Sequence, residues 1–152
     1  MKTMQGRTVF ITGGSRGIGR SIAIKVAQAG ANVVIAAKTA VETPKLSGTI
    51  YSVAEEIKAA GGKALPLILD VRDEQQIHSA IQQTVETFGG LDVLINNAGA
   101  IALTGVESTS LKQYDLIQTI NHRATFICAQ AALPYLKKSS NPHILSLSPP
   151  VN

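Results

Sequence analysis

The chain has 152 residues, 45% of them hydrophobic and 16% charged, a composition that fits one folded domain rather than a disordered segment. Its formal net charge is +4 and aromatic residues make up only 4%; because the basic residues are scattered, we expect neither a nucleic-acid-binding patch nor a stacking platform. Cys128 is the only cysteine, which excludes an internal disulfide and a zinc site built from several thiolates.

Membrane, metal and targeting features are also missing from the sequence. No uninterrupted apolar stretch approaches the roughly 18 residues that a membrane span needs, and the first residues contain no apolar signal segment. We therefore predict a cytoplasmic protein with no membrane partner. His78 and His122 lie on predicted helices without acidic or cysteine partners at ligand spacing, so we expect no metal site. Cys128 is expected to be a buried, inert thiol on a helix.

Strand-like and helix-like segments alternate from the N-terminus. In chain order, the pattern predicts strand 8–11, helix 18–29, strand 32–37, helix 49–60, strand 64–69, helix 73–88, strand 91–95, a helical region from about 108 to 138, and strand 143–147. Asp73 is expected to cap the third helix and Gly89-Gly90 to stop it, and Gly30 is expected to end the first. The long helical region is predicted to be broken near Thr119. The first helix is indicated by apolar residues at helical spacing: Ile18, Ile22, Ile24, Val26 and Ala27.

The predicted strands are continuous apolar runs rather than alternating ones, which indicates burial on both faces. Such strands form parallel sheets covered by crossover helices. Right-handed crossovers then give a doubly wound α/β sheet of the Rossmann type, which binds its ligand at the carboxyl ends of the strands, where the winding reverses. We predict that residues 1–152 form a single dinucleotide-binding domain.

A glycine-rich loop follows the first strand. At a strand-to-helix turn, a pyrophosphate would meet free backbone amides and the positive end of the helix dipole. Gly13 can take a tight turn, Gly17 lets a phosphate approach the backbone, and Gly19 allows close packing. The alternative is a plain glycine-rich turn. The predicted cofactor-binding residues of this loop are Gly13, Gly14, Ser15, Arg16, Gly17, Ile18 and Gly19.

The loop pattern Thr-Gly-x-x-x-Gly-x-Gly resembles that of the short-chain dehydrogenase/reductase family. Asp70-Val71 after the third strand, Asn96-Asn97-Ala98-Gly99 after the fourth, and Asn121 on the following helix match further motifs of that family in order. The resemblance implies that Asp70 and Val71 contact adenine, that Asn97, Ala98 and Gly99 bind the cofactor, and that Asn121 holds a water in a proton relay. Alternatively, Asp70 only caps a turn, and Asn96 is expected to brace the sheet. Residues 36–40, 44–51, 70–77 and 143–150 resemble one member of the family in particular.

The charges near the second strand predict which nicotinamide dinucleotide binds. NAD-specific Rossmann proteins place an acidic residue near the end of that strand to bind the ribose hydroxyls. Here Lys38 stands at that position, and Arg16 lies in the glycine loop. Two cations near the expected 2′-phosphate favour NADP(H). NAD remains the alternative because Glu42 lies on a loop that could return to the site.

The resemblance also implies hydride transfer between the nicotinamide and a carbonyl or alcohol carbon of a small-molecule substrate. In the family, a tyrosine and a lysine four residues later follow the fifth strand by about a dozen residues; this chain stops at Asn152. Tyr135 precedes that strand and is expected to be a helix-end packing residue. Ser148 is the nearest candidate for the family's substrate-orienting serine, although Pro149 stands at the expected position.

The resemblance implies a sheet in which the fifth strand is interior and flanked by a sixth, so a chain that ends after the fifth strand leaves an edge unpaired and one sheet face partly bare. We therefore predict a C-terminally truncated, cofactor-binding portion of an NADP(H)-dependent oxidoreductase that is inactive by itself. Alternatively, association with a partner covers the exposed surface, and the family resemblance implies a homo-oligomer. The rival hypothesis is a dinucleotide-binding or interaction domain without turnover.

Overall fold

The computed structural model describes residues 3–42 and 47–148. Over these residues it contains one sheet with the strand order β3-β2-β1-β4-β5, in which all neighbouring strands are parallel. This arrangement confirms the predicted doubly wound α/β sheet. The strands are β1 Thr8–Thr12, β2 Asn32–Ala37, β3 Lys63–Ile68, β4 Val93–Asn96 and β5 His143–Ser146.

The helices follow the predicted order. They are α1 Gly17–Gln28, α2 Ile50–Ala59, α3 Glu74–Phe88, α4 Leu111–Gln118 and α5 Ala124–Leu136, with a short 3₁₀ turn at Val106–Ser108. The irregularity predicted near Thr119 is present, but the helix is not broken there. Residues Thr119–Arg123 form a π-helical turn with helical dihedral angles on both sides, so α4 and α5 continue through a locally widened turn.

Two helix ends show the capping chemistry that the sequence predicts. The Asp73 carboxylate accepts hydrogen bonds from the backbone amides of Gln75 and Gln76, which are otherwise unpaired at the start of α3. Gly89 ends the same helix with φ +82°, a left-handed conformation that glycine adopts at low cost. These local signals explain why the bounds of α3 agree closely with the prediction.

The core lies in two layers, one on each face of the sheet. Alternate residues of β1 point to opposite faces, so Phe10 packs with α3 and α5, whereas Val9 and Ile11 pack with α1 and α2. The two helix pairs therefore cover the centre of the sheet from both sides, as a doubly wound fold requires.

The expectation that every strand is buried on both faces is wrong for the two edge strands. Residues of β1, β2 and β4 are almost all buried, whereas β3 is only partly buried and β5 is exposed along its length. Ile144 and Leu145 remain 45% and 51% exposed. In the described residues β5 pairs only with β4, so the predicted bare edge is present.

Small residues form the core-facing side of α1. Its buried residues are Gly19, Ala23 and Ala27, whereas Ile18 is 65% exposed. Small residues at intervals of one helical turn allow α1 to lie close to the sheet. The larger apolar side chains of this helix are thereby displaced to its flanks, and Ile18 reaches the edge of a cleft instead of the core.

The remaining expectations concern the cysteine, the membrane and metals. Cys128 is buried on α5, and burial raises the pKa of its thiol to about 12, which makes it unreactive at neutral pH. Across residues 3–42 and 47–148, no helix has the length and apolar character of a membrane span. In the same ranges no three His, Cys, Asp or Glu residues are grouped as metal ligands.

Candidate cofactor site

A cleft of about 550 Å³ lies at the carboxyl ends of the strands, where the winding of the sheet reverses between β1 and β4. Its volume is in the range of small-molecule sites. The structure brings eleven predicted cofactor-binding residues to its walls: Gly13, Ser15, Arg16, Ile18, Gly19, Lys38, Asp70, Val71, Asn97, Ala98 and Gly99. Gly14 and Gly17 belong to the same loop but not to the cleft walls. Thr39 and Arg72 also line the cleft, and the sequence did not single them out.

Glycine is required at three positions of the loop for different reasons. Gly13 has φ +69°, and a side chain there would place its Cβ 2.9 Å from the Ala98 Cα. Gly17 has φ +54°, with open space around the Cβ position. At Gly19 a Cβ would lie 2.5 Å from the Gly13 carbonyl oxygen and the Asn97 Nδ2. Gly19 thus packs against the loop itself and the segment after β4, rather than mainly against a strand.

Thr12 connects the glycine loop to the segment after β4. Its buried hydroxyl oxygen accepts hydrogen bonds from the backbone amides of Asn97 at 3.1 Å and Ala98 at 3.0 Å. In return, the Asn97 Nδ2 donates to the carbonyl oxygens of Thr12 and Gly13, both at 3.0 Å. The Asn97 side chain therefore holds the loop in shape from within the cleft wall. Sequence reasoning did not assign this role to Thr12, although its place directly before the first glycine was a usable signal.

Replacing Thr12 with valine is expected to lower the free energy of unfolding by roughly 1–3 kcal/mol, since two amides lose their buried acceptor. Thr12→Ser keeps the hydroxyl and serves as the matched control, with a smaller expected loss. Chemical denaturation of the three proteins measures the difference. Equal stability of the valine variant and the wild type would contradict the proposed bracing.

Three cationic side chains, Arg16, Lys38 and Arg72, line the cleft. Lys38 Nζ lies 3.2 Å from Asp70 Oδ2, and Arg72 Nη2 lies 2.6 Å from the same oxygen. Arg72 Nε adds a hydrogen bond of 3.0 Å to Asp70 Oδ1. The Arg72 guanidinium, more than its backbone amide or Lys38, holds the pKa of Asp70 well below its usual range despite the opposing effect of burial. Arg16 Nη2 donates to the Thr39 hydroxyl at 2.6 Å.

The structure shows which backbone amides the Asp70 and Glu42 carboxylates bind. Asp70 Oδ1 accepts from the backbone amide of Arg72 at 3.0 Å, so this side chain does cap a turn. Glu42 Oε1 accepts from the backbone amide of Gly48 at 3.3 Å, within the loop before α2, and does not line the cleft. The acidic residue considered for NAD binding is therefore engaged elsewhere.

The predicted catalytic residues lie outside the walls of the cleft. Asn121 is in the π-helical turn, where its Oδ1 accepts from the Ala100 amide and its Nδ2 donates to the Ala100 carbonyl oxygen, both at 2.8 Å. This side chain fixes the loop that follows Gly99. Ser148 is exposed after β5, and Pro149 lies outside the described residues.

The walls of the cleft do not include Asn96, Tyr135, His78 or His122. Asn96 is buried, its carbonyl oxygen accepts from the Leu147 amide, and its Nδ2 donates to the Ser146 hydroxyl at 3.4 Å, so it braces the sheet as predicted. Tyr135 packs against the core near the end of α5, as expected of a helix-end packing residue. His78 and His122 are exposed.

The comparison with known families decides the identity. The family model for short chain dehydrogenase matches residues 7–149. This chain belongs to the short-chain dehydrogenase family. Proteins of this family are oxidoreductases that use nicotinamide dinucleotide cofactors, which agrees with a cleft at the switch point of the sheet.

Curated relatives and solved structures agree with this assignment. Hydroxysteroid dehydrogenase-like protein 2 from Bos taurus is 62% identical over 149 residues, covering 98% of this chain and 36% of that protein. The Homo sapiens protein of the same name is 58% identical with the same coverage. Hydroxysteroid dehydrogenase-like protein 2 is the family member that residues 36–40, 44–51, 70–77 and 143–150 resemble. A short chain dehydrogenase structure from Mycobacterium thermoresistibile is 51% identical with a TM-score of 0.93, covering 97% of this chain and 53% of that one. The chain thus spans about a third of the curated relatives and about half of that solved structure.

Proposed function

We propose that this chain binds NADP(H) in the cleft and is the cofactor-binding portion of an NADP(H)-dependent short-chain oxidoreductase. The substrate would be a small-molecule carbonyl or alcohol. The observation that carries the proposal is the glycine loop, which lies at the switch point of the sheet and turns directly into the N-terminus of α1.

The loop suits a diphosphate both electrostatically and sterically. The first turn of α1 contains no acidic residue, so the positive end of the helix dipole is not neutralised locally. The space at the Gly17 Cβ position is open, and phosphate oxygens would approach the backbone there. In this arrangement Asn97 and Thr12 keep the loop rigid, while Gly13 and Gly19 permit its tight path.

The adenosine half of the cofactor would lie beyond β2 and β3. We assign Lys38 and Arg16 to the 2′-phosphate and the Asp70–Val71 segment to adenine. Cationic side chains bind phosphate oxygens through charge-assisted hydrogen bonds, which are stronger than neutral ones. Because Glu42 is held by Gly48, no carboxylate from that loop competes for the ribose hydroxyls, and this supports NADP(H) over NAD(H).

When bound, the nicotinamide supplies or accepts the hydride. In the family, proton transfer belongs to the tyrosine and lysine that follow the fifth strand. Within this chain, we assign Asn121 a supporting position beside the cleft and Ser148 the place nearest to that of the substrate-orienting hydroxyl. We therefore propose cofactor binding, rather than turnover, as the activity of this chain alone.

A second candidate is a dinucleotide-binding or interaction domain without turnover. Two observations favour it. Both polar atoms of the Asn121 side chain are hydrogen bonded to the backbone of Ala100, and Ser148 does not line the cleft. The exposed Ile144 and Leu145 on β5 offer a surface for a second copy of the chain, so homo-oligomer formation fits either candidate.

Isothermal titration calorimetry with NADP⁺ and NAD⁺ tests the proposal. We expect both to bind, and NADP⁺ to bind roughly 10- to 150-fold more tightly, since one additional charge-assisted contact contributes about 1.5–3 kcal/mol. An assay of NADPH oxidation with simple aldehydes and ketones then checks for turnover by this chain alone; neither candidate predicts it, so measurable turnover would contradict both. Failure of both dinucleotides to bind would overturn the assignment of the cleft.

A further inference from the structure

Arg72 lies outside the motifs that identify the family, yet its side chain lines the adenosine side of the cleft. We propose that Arg72 is a specificity-determining residue, a third cation that binds the 2′-phosphate of NADP(H) together with Lys38 and Arg16. This inference rests on the proposed function, because it concerns the same site.

The cationic groups of Lys38 and Arg72 lie close enough to contact one phosphate group. Lys38 Nζ and Arg72 Nη2 both contact a single oxygen, Asp70 Oδ2, at 3.2 Å and 2.6 Å. The two cationic nitrogens therefore lie no further apart than the sum of these distances, close enough for one phosphate group to contact both. The bonds to Asp70 use Nε and Nη2 of Arg72, and the guanidinium carries further N–H groups on Nη1. Arg72 is thus able to keep its contact with Asp70 while donating to a phosphate oxygen.

The cluster of charges around Asp70 carries an excess of positive charge. Among the ion pairs of the described residues, Asp70 is the one carboxylate that serves two cations; Arg20, Lys58 and Arg123 each pair with a glutamate of their own. One negative charge does not neutralise two positive ones, so the Lys38–Asp70–Arg72 cluster keeps an excess positive charge. Arg16 hydrogen bonds to the neutral hydroxyl of Thr39 and adds to this excess. A dianionic phosphomonoester complements it, whereas an unmodified ribose does not.

A purely structural role for Arg72 makes a different prediction. Its bidentate contact with Asp70 would then only orient that carboxylate toward adenine. Because adenine is common to NADP(H) and NAD(H), loss of such an orienting contact weakens both ligands equally. Loss of a cation for the 2′-phosphate weakens the binding of NADP(H) but not that of NAD(H).

The test uses adenosine fragments, since the residues concerned all lie on the adenosine side. Calorimetry measures the binding of 2′,5′-ADP and of 5′-AMP to the wild-type chain, Arg72→Gln and Arg72→Lys. We expect Arg72→Gln to bind 2′,5′-ADP roughly 10-fold more weakly, with less than a twofold change for 5′-AMP. Arg72→Lys keeps the charge and is expected to recover part of the lost affinity for 2′,5′-ADP.

Lys58→Gln is the control for net charge, because Lys58 lies in the last turn of α2, pairs with Glu55, and does not line the cleft. It is expected to leave both affinities unchanged, and an equal effect of Lys58→Gln and Arg72→Gln would overturn the inference. So would an equal loss for both fragments in Arg72→Gln, or no loss for either. If the wild-type chain binds neither fragment, the proposed function itself fails, which is a different result.

Discussion

Gly17→Val is expected to abolish dinucleotide binding while the chain still folds. Gly17 has φ +54°, a left-handed conformation that a β-branched residue rarely adopts, so the loop is strained by about 1–2 kcal/mol or shifts its path. Apart from its chain neighbours and the backbone of its own helix, no atom of the described residues lies within 4 Å of the Cβ position. The valine methyl groups therefore fit the protein, but they fill the space through which a diphosphate would approach the backbone amides.

Gly61→Val provides a matched control for this effect. Gly61 follows α2 with φ +78°, and its Cβ position is also free of neighbouring atoms. The two variants share the backbone strain, and only Gly17 lies in the glycine loop. Thermal unfolding should show similar losses of stability, whereas calorimetry should show that only Gly17→Val has lost NADP⁺ and NAD⁺ binding. Retained affinity in Gly17→Val would mean that the diphosphate lies elsewhere.

Lys38→Asp is expected to shift the ratio of NADP⁺ to NAD⁺ affinity by roughly 100-fold toward NAD⁺, equivalent to about 3 kcal/mol. The substitution removes a cation from the expected 2′-phosphate position and adds a carboxylate that repels the phosphate. An aspartate at the end of the second strand also accepts hydrogen bonds from ribose hydroxyls, which favours NAD⁺. The new carboxylate lies beside Asp70, whose single remaining cationic partner would be Arg72.

Calorimetric titration of both dinucleotides into the variant measures this ratio directly. Lys58→Asp changes the net charge by the same amount at a distance from the cleft and is expected to leave the ratio as it is in the wild type. An unchanged ratio in Lys38→Asp would show that the 2′-phosphate has been assigned to the wrong position.

Much of the fold was predictable because its signals are local. Apolar runs of five or six residues between helical patterns indicate buried parallel strands, and the Asp73 cap and the Gly89 stop mark the ends of α3. The same apolar runs predict more burial than the edge strands β3 and β5 have. Composition alone does not tell which strands lie at the edge, since that depends on the order in which the strands pair.

The sequence predicts which candidate site residues come together better than it predicts the hydrogen bonds between them. The glycine loop, Lys38, Asp70 and the Asn97–Gly99 segment come together because the carboxyl ends of parallel strands meet at one edge of the sheet. The sequence did not indicate that the Asn97 side chain holds the loop or that Thr12 accepts two amides. These bonds join β1 to the end of β4, which are distant in the chain.

Hydrophobic periodicity and glycine spacing are properties of neighbouring residues, so the class of fold, the place of the glycine loop and the family follow from the amino-acid sequence. Contacts between distant residues are visible only in the folded chain: Lys38 and Arg72 share one oxygen of Asp70, and Ile18 lies at the cleft rather than in the core. Such contacts depend on short distances between side chains. An ion pair forms within about 4 Å, and the pairing of β2 with β3 brings these charges together across the sheet.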